Sequence, residues 1–291
     1  MELKGLTHGQ RSRLAFIDFS LEYFGEVSRA DLISRFQTGL AAATRDLASY
    51  KQLAPNNALL DHKARRYLRR DQFSPLFSHN PEAILTGLSQ GFGDGLSFPM
   101  EPSESCFDAV RLIHPKAEYI AAIMRAIHHR VALLCRYVSI SSGESQREIV
   151  PHSLVNNGHR WHVRAYDRES ASFRDFVVTR FIHVAILDQP INTLEARQYD
   201  KQWNHIVELS LIAHPALAYP QAIELDYAMQ EGQLKLEVRA ALAGYLLRQW
   251  NVDCSPQHQL NGGEYQLALS NAQVLEGIEG LAIAPGWQSV V

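Results

Sequence analysis

Apolar residues recur along the first part of the chain at helical spacing. Leu14, Ile17, Leu21 and Phe24 fall at i, i+3, i+7 and i+10, one face of an α-helix, and Gly25 stops it. Ser28-Arg29-Ala30-Asp31 has capping-box spacing: the Ser hydroxyl can accept an orphan amide while the carboxylate favours the helix N-terminus. Leu32, Ile33 and Phe36 then give a short second helix its apolar side. Gln37-Thr38-Gly39 breaks it, with Thr38 the expected N-cap of a third helix in which Leu40, Ala43, Leu47 and Tyr50 face inward. After Asn56-Asn57, the run ALLDHKARRYLRR reads as a β-ribbon.

The polar side of this segment carries candidate chemistry. The outward face of the third helix holds Ala41, Ala42, Thr44, Arg45, Ser49 and Lys51. Small side chains allow close approach to a surface, and Thr and Arg supply donors for base edges and phosphates. Lys63, Arg65, Arg66, Arg69 and Arg70 cluster on the ribbon. Two short helices, a tight turn and a basic ribbon describe a winged helix-turn-helix over residues 1–77. Its expected DNA contacts are Thr38, Ala41, Ala42, Thr44, Arg45, Ser49, Lys51, Lys63, Arg65 and Arg66. Charge agrees: the first 77 residues carry 12 basic against 8 acidic side chains, the remainder 16 against 23. A basic end on an acidic chain suits a polyanion partner, although a three-helix packing unit with a solvated basic tail gives the same sum.

From Pro75 to Pro115 chain breakers dominate. A connecting helix is expected at 81–89, a linker loop at Gly91–Gly95 and a second helix in KAEYIAAIMRAIHH. From Val131 the period becomes two. Leu133, Cys135, Tyr137 and Ser139 alternate with Leu134, Arg136 and Val138, entering a turn at Ser142-Gly143-Glu144. In residues 160–166, Arg160, His162, Arg164 and Tyr166 share one face, and Trp161, Val163 and Ala165 form the core side. After a polar hairpin at Asp167–Ala171, Arg174 and Arg180 share a face with Phe176 and Val178. Short, closely spaced strands point to a small barrel or curled sheet. Every basic residue between 130 and 180 is Arg, at 130, 136, 147, 160, 164, 168, 174 and 180. Arginine's planar fork suits phosphate and nucleobase edges. An anion pocket fits that pattern; so do edge charges paired with the five acids of the same interval.

In the last hundred residues, Ile206–Ile212 and Gln233–Arg239 alternate as strands, each followed by a helical run, 215–229 and 240–250, as in a small α+β unit. His205, His214 and His258 lack metal-ligand spacing. The three cysteines, Cys106, Cys135 and Cys254, form no CxxC pair, so neither a zinc site nor a disulfide framework is expected. No carboxylate cluster or nucleophile elbow appears, which argues against an enzyme. No secretory signal and no apolar run long enough to span a membrane is present, so a soluble, cytoplasmic protein without membrane partner, cofactor or metal is expected.

Residues 149–154 (IVPHSL), 158–167 (GHRWHVRAYD) and 174–181 (RDFVVTRF) resemble a WYL domain, with Trp161-His162-Val163 at the triplet that names it. Ala43-Thr44-Arg45-Asp46-Leu47 resembles the DeoR-like module that precedes such domains. Tyr245–Cys254 resembles the tail of WYL repressors of phage-defence operons of the BREX and CBASS type. The resemblance implies an α+β multidomain chain: a winged helix-turn-helix (1–77), a linker with a connecting helix (78–116), an Sm-like β-barrel WYL domain (117–190) and an α+β C-terminal dimerisation domain (191–291). It further implies a homodimeric repressor of double-stranded DNA with a nucleic-acid or nucleotide ligand. The implied ligand residues are Tyr137, Ser139, Arg147, His152, Arg160, His162, Arg164, Arg174 and Arg180, with Trp161 in the core. The alternatives are an RNA- or single-strand-binding module and a WYL-type activator.

Overall fold

The computed structural model describes residues 6–78 and 112–288. The helix expected at 81–89, the loop at Gly91–Gly95 and Cys106 lie outside them. Contacts divide the chain into two units: one contains the described residues up to Leu154 and Val163–Ile191; the other contains Val155–His162 and the described residues from Asn192 onward.

Helix α1 (His8–Phe24) begins in a capping box between Thr7 and Gln10 and ends at Gly25, φ 81°, whose amide donates to the Leu21 carbonyl at 3.1 Å. Leu14, Ile17 and Leu21 are buried as the spacing predicts. Gly25 is favoured by its left-handed φ; a Cβ there would also stand 2.7 Å from Nε2 of the exposed His129, a ring that can move aside. A short strand, β1 (Glu26–Ser28), follows, then α2 (Arg29–Phe36). The expected capping box opens α2: the Asp31 amide donates to Ser28 Oγ at 3.2 Å and the Ser28 amide to Asp31 Oδ2 at 2.7 Å.

Helix α3 (Leu40–Leu53) differs from expectation at its start. Its N-cap is Gly39, without a side-chain hydrogen bond, rather than Thr38. Gln37 ends α2 at φ 50°, and the chain needs both following residues to reach the new helix axis, which places Thr38 one residue too early to cap it. Leu40, expected inside, is 60% exposed. The buried stripe is Ala43, Asp46, Leu47 and Tyr50, so Leu40 at the first helical position projects beyond it.

Polar contacts tie this core together. Arg13 Nε and Nη2 reach the buried Asp46 carboxylate at 2.6 and 3.3 Å. The Tyr50 hydroxyl donates to Asp18 and accepts from Asn57 Nδ2 at 3.0 Å; burial and Asp18 both push its pKa upward. Asp18 also accepts the Leu76 amide at 3.1 Å, which returns the chain to α1. Strands β2 (Ala58–Asp61) and β3 (Arg66–Arg69) form the expected ribbon, and β1 joins them in the order β1-β3-β2.

Helix α4 (Ala117–His129) buries Ile120, Ala121, Ile123 and Ala126. Five strands follow: β4 (Val131–Ser139), β5 (Gly143–Asn156), β6 (Trp161–Asp167), β7 (Ser172–Val177) and β8 (Phe181–Pro190), ordered β7-β6-β5-β4-β8. Leu133 lies between Ile149 and Ile186 in register. Among the described residues no ladder joins β7 to β8, so hydrogen bonds do not close this sheet into the expected barrel. Strand β6 is buried on both faces, His162 and Arg164 as well as Trp161, Val163 and Ala165. Arg180 lies in a 3₁₀ turn (Val178–Arg180), which ends the alternation that would have aligned it with Arg174.

In the second unit the two expected strands, β9 (Ile206–Ala213) and β10 (Gln233–Arg239), pair antiparallel, Val207 opposite Val238 and Leu211 opposite Leu234. Helices α5 (Lys201–Asn204), α6 (Pro220–Asp226) and α7 (Ala240–Gln249) accompany them; α6 is shorter than the expected 215–229 because Pro220 sets its first turn. Two strands not read from the sequence, β11 (Val252–Asp253) and β12 (Leu267–Leu269), complete the order β10-β9-β12-β11. His214, without apparent role in the sequence, is wholly buried with its Nε2 3.1 Å from Asp253 Oδ2. That carboxylate also accepts the Leu260 amide at 2.9 Å, so the pair holds a connecting loop.

Candidate nucleic-acid interface

The packing that buries Ala43, Leu47 and Tyr50 turns the opposite face of α3 outward. Ala41, Thr44, Arg45 and Lys51 are exposed; Thr38, Ala42 and Ser49 are half-buried. The Thr44 hydroxyl donates to the Leu40 carbonyl at 2.8 Å, so its proton is directed at the helix backbone. Among the described residues no carboxylate pairs with Arg45 or Lys51, which leaves both guanidinium and ammonium groups facing water.

On the ribbon, Asp61 Oδ1 accepts the Lys63 and Ala64 amides at 2.8 and 3.0 Å, shaping a turn that carries Arg65 at φ 55°. Lys63 and Arg65 stand exposed at its tip. Arg66 and Arg69 are placed differently. Arg66 is ion-paired with Glu26, and Arg69 Nε reaches Glu22 at 3.3 Å while its guanidinium lies 4.8 Å over the Phe73 ring. Sequence spacing does not distinguish these two from Lys63 and Arg65 at the tip, because their partners lie on α1 and β1, 40 or more residues earlier.

Glu22 also joins the ribbon to α4. Its carboxylate accepts Arg125 Nη1 at 3.3 Å, and Arg125 donates as well to the Glu22 main-chain carbonyl. Burial, reinforced by neighbouring Arg69, pulls the Arg125 pKa below its ordinary value. Glu26 similarly faces His128 Nε2 at 3.5 Å. Neither Glu22 nor Arg125 stood out in the sequence; a contact across 103 residues leaves no local signal.

The arginine-rich residues of the sheet are not equivalent. Tyr137 is in the core, its ring edge-on to Phe176 and Phe181 and its hydroxyl oxygen accepting the Val177 amide at 3.1 Å. Ser139 Oγ organises the β4–β5 turn through the Ser141 amide at 3.2 Å. Arg147 Nη1 bridges Asp167 at 2.8 Å and Glu169 at 2.7 Å. Arg164 is buried 3.5 Å from Asp175. These two guanidiniums sit with carboxylates, the alternative that the sequence left open.

His152 lies against Phe173, ring centroids 5.8 Å apart, with its Nδ1 3.0 Å from Ser153 Oγ. Arg174 is exposed and donates to Ser172 Oγ at 3.3 Å, and Arg180 is half-buried. In the second unit the ring of His162 lies against that of Tyr245 at 5.0 Å. Arg160 there has a buried Nε with no hydrogen-bond partner. Among the described residues no cluster of His, Cys, Asp or Glu could hold a metal ion, and no helix is long and apolar enough to cross a membrane.

Three family models match in chain order: the BrxR transcriptional regulator winged helix-turn-helix domain at residues 9–89, the WYL domain at 118–186 and the BrxR C-terminal dimerization domain at 206–275. Curated relatives span nearly the whole chain. The DNA-binding transcriptional repressor CapW of Escherichia coli (strain KTE188) is 35% identical over 280 residues, covering 92% of this chain and 91% of the relative. CapW of Stenotrophomonas maltophilia is 33% identical, covering 84% of each chain. CapW of Pseudomonas aeruginosa is 30% identical, covering 94% of this chain and 93% of the relative.

Proposed function

The chain belongs to the CapW family of DNA-binding transcriptional repressors, and from that premise we propose that it represses a phage-defence operon by binding an inverted-repeat operator as a homodimer. The exposed face of α3 carries this reading. Arg45 and Lys51 stand in water there, while Ala43, Leu47 and Tyr50 hold the other face in the core. An α-helix so presented fits the major groove, and Lys63 and Arg65 at the ribbon tip suit adjacent phosphates. The C-terminal dimerisation match supports a two-fold dimer, whose paired helices would read half-sites about 34 Å apart. The four segments then have separate tasks: DNA reading (1–77), connection (78–116), ligand sensing (117–190) and dimerisation (191–291).

The WYL module takes a nucleic-acid or nucleotide ligand in this reading. Support comes from Arg174, exposed on β7 of the five-stranded sheet. A ligand alters repression only by favouring one arrangement of the DNA-binding module over another. The contact of Arg125 with Glu22 offers a route between α4 and that module.

The test is fluorescence anisotropy of full-length protein on its own promoter duplex, a scrambled duplex and a single strand, at two salt concentrations. Preference for the promoter by about a thousandfold or more is expected, with Arg45→Ala losing most of it. Equal affinity for promoter and scrambled duplex refutes the sequence-specific reading. Preference for the single strand transfers the function to the alternative class.

A further inference from the structure

Leu40 is 60% exposed, whereas the inward large residues of α3, Leu47 and Tyr50, are each 1% exposed. Exposed leucines are common on protein surfaces, but this one stands at the first turn of the helix assigned to DNA reading, where its side chain is available to an apolar feature of the groove. Its neighbours on that turn restrict the partner's chemistry. Ala41 offers a methyl group. Thr44 donates its hydroxyl hydrogen to the Leu40 carbonyl at 2.8 Å, so in this arrangement it presents outward its methyl group and an acceptor oxygen rather than a donor. The first turn of α3 therefore displays alkyl groups, with Arg45 the long donor beside them. Lys51 on the same helix and Lys63 and Arg65 on the ribbon are exposed cations, complementary to a polyanion.

An alkyl group that enters the major groove has one complementary feature among base edges, the C5-methyl of thymine. We propose that Leu40, assisted by Thr44, is a specificity-determining residue that reads thymine methyl groups, so that each half-site carries thymine opposite the start of α3. Arg45 then reads a neighbouring guanine through its fork. This deepens, and rests on, the assignment of α3 as the DNA reader. It also changes the role of Thr44 from the donor expected from its residue type to an apolar contact.

The experiment selects duplexes from a randomised pool with the full-length protein, then replaces each enriched thymine singly by deoxyuridine, which removes only the methyl group. The wild type should lose roughly fourfold in affinity at one or more positions per half-site. Leu40→Ala should lose that sensitivity at one of them and keep the response to guanine replacement; Thr44→Val, which retains the alkyl character without the hydroxyl, should keep wild-type preference. Leu40 is largely exposed, and an unchanged circular dichroism spectrum verifies that its variant folds. Wild-type affinity unaffected by deoxyuridine at every position overturns the inference, as does equal methyl sensitivity in Leu40→Ala. If no sequence is enriched at all, the sequence-specific reading falls and this inference with it, whereas an enriched but methyl-insensitive site sinks the inference alone.

Discussion

Glu22 is the point where removal of one atom type should be most informative. Its side chain is 12% exposed and accepts from Arg69 and Arg125, themselves 22% and 15% exposed, each at 3.3 Å. Glu22→Gln keeps the shape but removes the charge, leaving two guanidiniums side by side. Breaking a buried ion pair by removing one partner costs about 3–5 kcal/mol; the residual exposure of all three groups places this site near the lower limit, about 3 kcal/mol. Arg125→Met should cost less than Glu22→Gln, because it removes a partly desolvated cation and lets Arg69 keep the carboxylate. In the double variant the neighbouring cation is gone when the carboxylate is neutralised, so the two costs should fall short of additivity by at least about 1 kcal/mol. Hydrogen exchange read by mass spectrometry on α1 and α4 peptides measures this local stability without assuming that a multi-module chain unfolds in one step. Costs that add within about 0.5 kcal/mol would show that Glu22 and Arg125 are neighbours without coupling, and would remove the support they lend to communication between α4 and the DNA-binding module.

Three further outcomes are expected. Gly25→Ala should lower stability by about 1–2 kcal/mol for its left-handed backbone, and because the exposed His129 ring can move aside, adding His129→Ala should recover little of the loss, measured by thermal melting. Lys63→Ala and Arg65→Ala should each reduce the salt slope of DNA binding by about one, whereas Arg66→Ala, already paired with Glu26, should change it less; equal slopes for all three would contradict the division of the ribbon. Burial works to raise the Asp253 pKa, but hydrogen bonds from Ser255, Leu260 and His214 outweigh it and hold the carboxyl below its ordinary range. Its stabilisation is therefore present above the unfolded value of about 3.9 and lost as pH falls through the lower folded value; melts of Asp253→Asn between pH 6 and 3 should show a flatter acid limb than wild type.

What the sequence by itself determined was most of what is encoded within a turn or two of chain, Thr38 and Leu40 at the start of α3 excepted. Leu14, Ile17 and Leu21 declare the buried face of α1, Ser28 and Asp31 cap α2, and the alternation of residues 206–212 and 233–239 specifies two strands, whose pairing and register the structure then supplies. The WYL motif was legible in the same way, as a contiguous run of residues. The tertiary structure alone decided which polar groups are available to a ligand. Arg65 and Arg66 are adjacent and chemically identical, yet one stands exposed at a turn and the other meets Glu26; Arg147 and Arg164 face carboxylates, and Tyr137 closes an aromatic core. The physical reason is range. Helix and strand periodicity arise from backbone geometry between near neighbours, so they are written locally. An ion pair such as Arg125 with Glu22 depends on where two distant segments come to rest, and with 28 basic and 31 acidic side chains no spacing rule selects the partner.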